Sequence, residues 1–418
     1  MIQGIITFIL VFGILVVVHE YGHLYFAKRA GILVREFSVG MGPKIFGHRG
    51  TDGTLYTIRI LPLGGYVRLA GWGDDNTEIK KGTPTSLVIE DEKVVRINLS
   101  ERVILEHALP MLVTEYNFDD EIYIQGEVFG EESRYEVHHN AMIIEEDGTE
   151  VRIAPRDVQY QSASIMGKIL TNFAGPLNNF ILGFITFIIL AFMQGGVPSN
   201  SNVIGQIEPN TPAAGSTLKA GDQITAINGK PTHNWSDILD QVTHTTKGKS
   251  IDLTVNQSGI SKNVSISPKE IDGAIRIGIG PSIEKTGFFD KLSSGFTQAL
   301  AAFTAIFDAL GNLIVHPSIN KLGGPVYIFN VSSQAAQNGM ISIVYLLGML
   351  SINLGIVNLM PIPVLDGGKI LLNIIEAIRR KPLSQEKEGI FTLVGVVFMV
   401  VLFVAVTWND ILRTFFHY

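Results

Sequence analysis

Residues 1–18 carry no ionisable side chain, and the run then meets His19, Glu20 and His23 in the stretch GIITFILVFGILVVVHEYGHLYFAKRAG. An α-helix rises about 1.5 Å per residue, so about 20 apolar residues cross a hydrocarbon core. The run reads as a membrane helix, residues 1–27, with HEYGH near its far end. His19 and His23 stand four apart, so they project from one helical face at the separation two zinc ligands need. Glu20 projects beside them, where a carboxylate can take a proton from a water that a metal activates. Ionisable groups at membrane depth are costly, and their default reading is functional.

HExxH by itself is a short pattern that also arises by chance, so the context has to decide. A secretory signal peptide would carry Lys or Arg before the apolar run and small residues at a cleavage site after it, and this run has neither. The soluble metzincin pattern wants Gly at 26 and His at 29, where this chain has Phe26 and Arg29. A third ligand therefore has to come from elsewhere. No cysteine occurs in the 418 residues, so only His and carboxylates are left to hold zinc. With 46% hydrophobic and 17% charged residues, membrane segments and soluble modules must alternate. A net charge of −7 offers no broad basic surface for nucleic acid.

Lys28, Arg29 and Arg35 follow the first span. Positive flanks favour the cytoplasmic side, which puts the N-terminus outside and HEYGH near the inner face. Residues 28–72 read as β-structure, with alternating stretches and an Asp52-Gly53 turn. They form either a small sheet packed on the membrane domain or an edge strand beside the active site that pairs with an extended substrate. Residues 73–160 hold 21 acidic and 8 basic residues and read as a soluble β-rich cytoplasmic insertion. His138-His139 there lacks a second ligand pair and reads as solvated or strand-paired.

The second span, 165–196, is interrupted by Asn172, Gly175-Pro176, Asn178 and Asn179, which in lipid must face protein. Helix packing is the preferred reading of Asn178 and Asn179. Residues 200–285 form a soluble module of short strands and one helix capped by Asn234. Segment 287–318 reads as an amphipathic interfacial helix. The third span, 340–370, carries Asn353, Asn358, Pro361, Pro363 and Asp366, and its prolines and Gly367-Gly368 unwind it. The fourth is 390–413. With four spans Asp366 comes to the inner face, where it can be the missing ligand; a fifth crossing at 296–316 would carry it to the opposite side from His19 and His23.

HEYGH, FAGPLNNF, TPAAGSTLKAGDQITAINGKP and NLMPIPVLDGG stand in the order of the site-2 protease family, and the chain resembles its bacterial regulator-of-sigma-E protease group. The 200–285 run resembles a PDZ domain, a module that captures chain ends by strand addition. The resemblance implies a polytopic α-helical membrane protein: a four-span metalloprotease core with a membrane-associated β-hairpin, an inserted β-rich region and one extracytoplasmic α+β PDZ domain. It implies one Zn2+ held by His19, His23 and Asp366, with Glu20 as general base. Asn358, and less directly Asn353, match family asparagines near the substrate, and Gly65, Tyr66 and Val67 lie in the family's hairpin segment. Implied partners are single-span membrane proteins already trimmed by another protease, such as anti-sigma factors, together with signal-peptide remnants and the lipid bilayer of the bacterial cell membrane. GGPVYI at 323–328 resembles a recurrent stretch without a derived role. One PDZ module, where some relatives carry two, and the acidic insertion depart from the family pattern. Two other classes stay open: a membrane-anchored PDZ scaffold without catalysis, and a metal transporter, for which the chain lacks the internal repeat.

Overall fold

The computed structural model describes residues 2–72, 79–209, 211–245, 249–271, 274–381 and 383–415; the first residues of the acidic insertion, 73–78, lie outside that range. The chain divides into two compact units, Met1–Gly183 with Gly323–Tyr418, and Phe184–Leu322.

In the first unit α1 (Ile2–Arg29) buries Gly4, Thr7, Val11, Leu15, His19, Gly22 and His23, a three-to-four spacing that makes one stripe. Ile5, Ile6, Ile9 and Leu10 remain exposed on the other side, an apolar face suited to lipid. β1 (Val34–Arg49) and β2 (Leu55–Leu69) are long bent strands that pair twice. Residues 36–39 lie between 65–68 on one side and 55–58 on the other, while 46–49 pair with the outer flank of 55–58. The hairpin is thus four short segments, and Gly65–Val67 belongs to an outer one.

A buried carboxylate pins these segments together. Glu36 accepts from Thr57 Oγ1 (2.6 Å), Arg59 Nη2 (2.7 Å) and Tyr66 OH (2.8 Å), so one acidic group on the inner segment ties both flanks. A buried charge is tolerable only with such partners. The phenol of Tyr66 is pushed up to about 12, first by burial and then by the bond to, and charge of, Glu36.

The acidic insertion folds into β3 (Pro84–Glu90), β4 (Lys93–Asn98), β5 (Leu109–Asn117), β6 (Tyr123–Val128), β7 (Glu131–Ile144) and β8 (Glu150–Arg152). Their order is β4-β3-β5-β6-β7-β8, and β4 also pairs in parallel with β7, which closes the sheet on itself. Leu87, Val94, Ile97, Ile124 and Ile143 fill the interior and are fully buried, each worth about 1.5–3 kcal/mol of burial. His139 lies 3.0 Å from Asp157 and is partly exposed.

α2 (Ile165–Met193) is one continuous helix despite Pro176. In the second unit, strands Ile204–Ile207, Gln223–Ile227, Ile251–Gln257 and Ile260–Ile266 and helix α3 (Trp235–Thr243) close over Ile224, Ile227, Ile238, Leu253 and Val255. Asn234 caps α3 by accepting from Asp237 N at 2.9 Å. α4 (Phe288–Val315) follows.

The chain returns to the first unit in α5 (Pro325–Asn338), α6 (Met340–Asn358), α7 (Asp366–Arg379) and α8 (Gln385–Phe415). The stretch 340–370 is therefore two helices: α6 ends at Asn358, seven residues separate them, and Asp366 opens α7. α5 lies along the N-terminal half of α1, where Phe329 meets Phe8 edge-on and Ser333 abuts Gly4. Asp366 meets the C-terminal half of α1, so α6 runs parallel to α1. The GGPVYI stretch is the start of α5: Asp410 of α8 accepts from Tyr327 N at 2.9 Å, and the absence of a side chain on Gly324 lets that carboxylate approach.

Among the described residues, five helices are long and apolar enough to cross a membrane: Ile2–Arg29, Ile165–Met193, Phe288–Val315, Met340–Asn358 and Lys387–Thr414. Four of them overlap the segments that the sequence reads as spans, 1–27, 165–196, 340–370 and 390–413. Phe288–Val315 is the additional one and the least apolar of the five.

Candidate metal centre

His19 and His23 come from the last turns of α1 and Asp366 from the first turn of α7. His19 Nε2 lies 3.2 Å from Asp366 Oδ2 and 3.2 Å from His23 Nε2; His23 Nε2 lies 3.4 Å from the same oxygen. Among the described residues these three form the single cluster with metal-ligand spacing, their ligand atoms all within 4.8 Å of one another. All three residues are buried. Asp366 Oδ2, the atom facing both imidazoles, has no hydrogen-bond partner among the described residues.

Two imidazole nitrogens and a carboxylate oxygen, converging in a buried place with an unpartnered acceptor among them, fit a zinc ion that keeps one position open. Glu20 is half-buried next to His19 and, among the described residues, has no hydrogen bond.

Several local choices bring α7 and α2 to α1. Between α6 and α7 the backbone turns sharply, and Val364 sits at φ +81°, a left-handed conformation that strains a β-branched residue. Cβ atoms on Gly367 and Gly368 would stand 2.3 Å from Leu359 O and 2.2 Å from Ile362 O, so only glycine lets α7 start against this turn. On α2, Gly175 faces the histidines directly. Lys168 of α2 pairs with Glu376 of α7 at 3.0 Å, with both side chains largely shielded from solvent. Tyr160 OH accepts from Asn172 Nδ2 (2.7 Å) and Asn373 Nδ2 (3.0 Å), joining α2 to α7.

The imidazoles are oriented by α2. His23 Nδ1 lies 2.7 Å from Thr171 O, and His19 Nδ1 lies 3.0 Å from the Asn179 side-chain amide. Thr171, Gly175 and Asn179 are spaced by four and so share a face of α2. By sequence Asn178 and Asn179 read alike as packing residues. Asn178 Nδ2 donates to the backbone, Val18 O, at 3.0 Å, whereas the Asn179 side chain faces the imidazole of His19. The signal was present in the i, i+4, i+8 spacing of polar and small residues.

Gly65 lies against α1 at the site, since a Cβ there would stand 2.8 Å from Val16 Cγ1 and 3.3 Å from Glu20 Cγ. Val67 pairs with Phe37, and the hydroxyl of Tyr66 is engaged by Glu36. Asn358, the last residue of α6, is half-buried, and Asn353 is exposed; neither is hydrogen-bonded to the cluster among the described residues.

The chain matches peptidase family M50 over residues 7–402. A protein of Lactococcus lactis subsp. lactis, provisionally named a zinc metalloprotease, is 65% identical over 99% of this chain and 100% of its own length. One of Streptococcus pneumoniae serotype 4 with the same provisional name is 56% identical over 99% of each. A protein of Enterococcus faecalis, provisionally named protease eep, is 53% identical over 99% of this chain and 100% of its own. A solved PDZ domain of an SdrC-like protein from Listeria monocytogenes aligns at 23% identity over 19% of this chain and 85% of its own, with a TM-score of 0.18, too low to define a fold. A match of this extent, with relatives alike from end to end, leaves one assignment: the chain belongs to peptidase family M50, the site-2 proteases.

Proposed function

We propose that the chain is an intramembrane zinc metalloprotease that hydrolyses peptide bonds within or near the transmembrane segments of single-span proteins. One observation carries the reading: His19, His23 and Asp366 meet, buried, beside a half-buried carboxylate, Glu20, that has no hydrogen bond among the described residues. These three would hold one zinc ion, which when bound supplies Lewis-acid activation of water and of the scissile carbonyl. Glu20 accepts the proton of the attacking water and returns it to the leaving amine. Asn358 donates to the substrate backbone, and such a donor is typically worth a few kcal/mol of barrier; Asn353 lines the same approach. A transmembrane helix hides its own amides, so the substrate must unwind before cleavage. The outer segment Gly65–Val67, packed against Glu20, would hold the unwound stretch by strand addition.

Lys28, Arg29, Lys168, Lys369, Arg379, Arg380 and Lys381 support a site near the cytoplasmic face of a bacterial cell membrane with both termini outside. Residues 200–285 are then extracytoplasmic, and as a PDZ domain would filter substrates, either by binding a fresh chain end or by excluding large ectodomains. The position of α5 beside the N-terminal half of α1 supports four crossings, because an unmatched crossing by α4 would leave Pro325 at the opposite face. Substrates are pre-trimmed single-span proteins, anti-sigma factors among them, and signal-peptide remnants.

The test is cleavage of a tagged single-span peptide in liposomes by the wild type, by Glu20→Gln, and with a chelator. Product from the wild type alone is the expected result. Product that survives both controls overturns the mechanism, and a wild type inactive on a panel of single-span peptides would favour a PDZ scaffold.

A further inference from the structure

Asn179 is fully buried, its backbone oxygen accepts from Ser351 Oγ at 2.7 Å, and its side chain reaches the ring of His19. A histidine that binds a metal through Nε2 must carry its proton on Nδ1. His23 meets that condition, because its Nδ1 faces the Thr171 carbonyl oxygen, which can only accept. His19 does not, because its Nδ1 faces an amide nitrogen, which can only donate; the proton would then sit on Nε2, toward Asp366 and His23. The other end of the same amide, Asn179 Oδ1, is buried without a hydrogen-bond partner among the described residues. Nitrogen and oxygen of an amide are isosteric, and a half-turn about Cβ–Cγ exchanges them.

Resting on the zinc-site reading above, we propose that Asn179 is the positioning residue that sets the tautomer of His19: with metal bound, its Oδ1 accepts from His19 Nδ1–H and turns the Nε2 lone pair to the metal. The two histidines then have matched acceptors, a main-chain carbonyl for His23 and a side-chain amide for His19, both supplied by one face of α2. The side-chain acceptor can rotate and the carbonyl cannot.

The test uses the full chain in detergent and measures zinc retained against a graded chelator, with thermal unfolding of the metal-free protein as the folding control. Asn179→Leu, close in shape but without an acceptor, is expected to lower zinc affinity 10- to 100-fold while the metal-free protein unfolds within a few degrees of wild type. Asn179→Asp restores an acceptor and is expected to hold zinc within a few-fold of wild type or tighter. Wild-type affinity in Asn179→Leu overturns the assignment, and so does an equal loss in Asn179→Asp, which would mean that the amide's donor matters. Asp366→Asn is run alongside: if it leaves zinc affinity unchanged, the metal site itself is wrong and the assignment falls with it; if it lowers affinity, the two Asn179 variants judge Asn179 alone.

Discussion

A Cβ placed on Gly175 would stand 2.3 Å from Nε2 of His23 and 2.8 Å from Cε1 of His19. The middle of α2 therefore lies directly against the imidazoles of His19 and His23. The reciprocal contact is Gly22, whose Cβ would stand 2.3 Å from Ala174 O. Two glycines on facing helices let α1 and α2 approach closely enough for Thr171 and Asn179 to reach the imidazoles, as small residues do in membrane helix pairs.

Gly175→Ala should therefore injure the site more than the fold. Overpacking typically costs about 1–3 kcal/mol, and here the atoms that must yield include His23 Nε2. Zinc content per chain after purification should fall at least tenfold with the protein still monodisperse. Zinc retention equal to wild type would show that the helices can separate without cost.

Glu20→Gln keeps shape and removes the carboxylate proposed as the proton acceptor. Zinc content should stay at wild-type level while cleavage falls at least 100-fold, the usual scale for a general base. Loss of zinc in this variant would assign Glu20 to the ligands instead.

Tyr160→Phe deletes the hydroxyl shared by Asn172 and Asn373 and leaves buried amide groups unpaired, at about 1–3 kcal/mol. Because Asn172 follows Thr171 and Asn373 lies on the helix that begins at Asp366, both thermal stability and zinc affinity should drop. A drop in stability with unchanged zinc affinity would show that the link is purely structural.

Tyr66 gives a pH signature. Its phenol is pushed up to about 12 in the folded chain from an ordinary value of 10. The unfolded chain ionises first as pH rises, so this contribution to stability is complete below about pH 10 and is lost as pH climbs toward 12. Melting temperatures followed from pH 9 to 12 should fall more steeply for wild type than for Tyr66→Phe. Parallel curves would mean that the bond to Glu36 does not hold the phenol neutral.

Much of the architecture was readable along the chain because it depends on neighbours. The spacing of His19 and His23 puts both on one face of any helix. The apolar runs set span lengths, and Pro361 and Pro363 stop α6 before Asp366. Asn234 before Trp235 starts α3.

Tertiary structure decided what depends on distant partners. It makes Asp366 the first residue of a new helix instead of the tail of a span, because Gly367 and Gly368 pack on a turn whose shape only the folded chain defines. It closes the acidic insertion through the parallel pairing of Val94 with Val137, a long-range match that strand periodicity does not encode. It separates Asn178 from Asn179, adjacent residues of one type, by sending one to a backbone carbonyl and the other to the imidazole of His19. The sequence by itself determined which residue types are present at helical spacing, since that follows from backbone geometry. Which of them converge was decided only by the packing of α2 and α7 against α1, because each such contact joins residues more than a hundred positions apart.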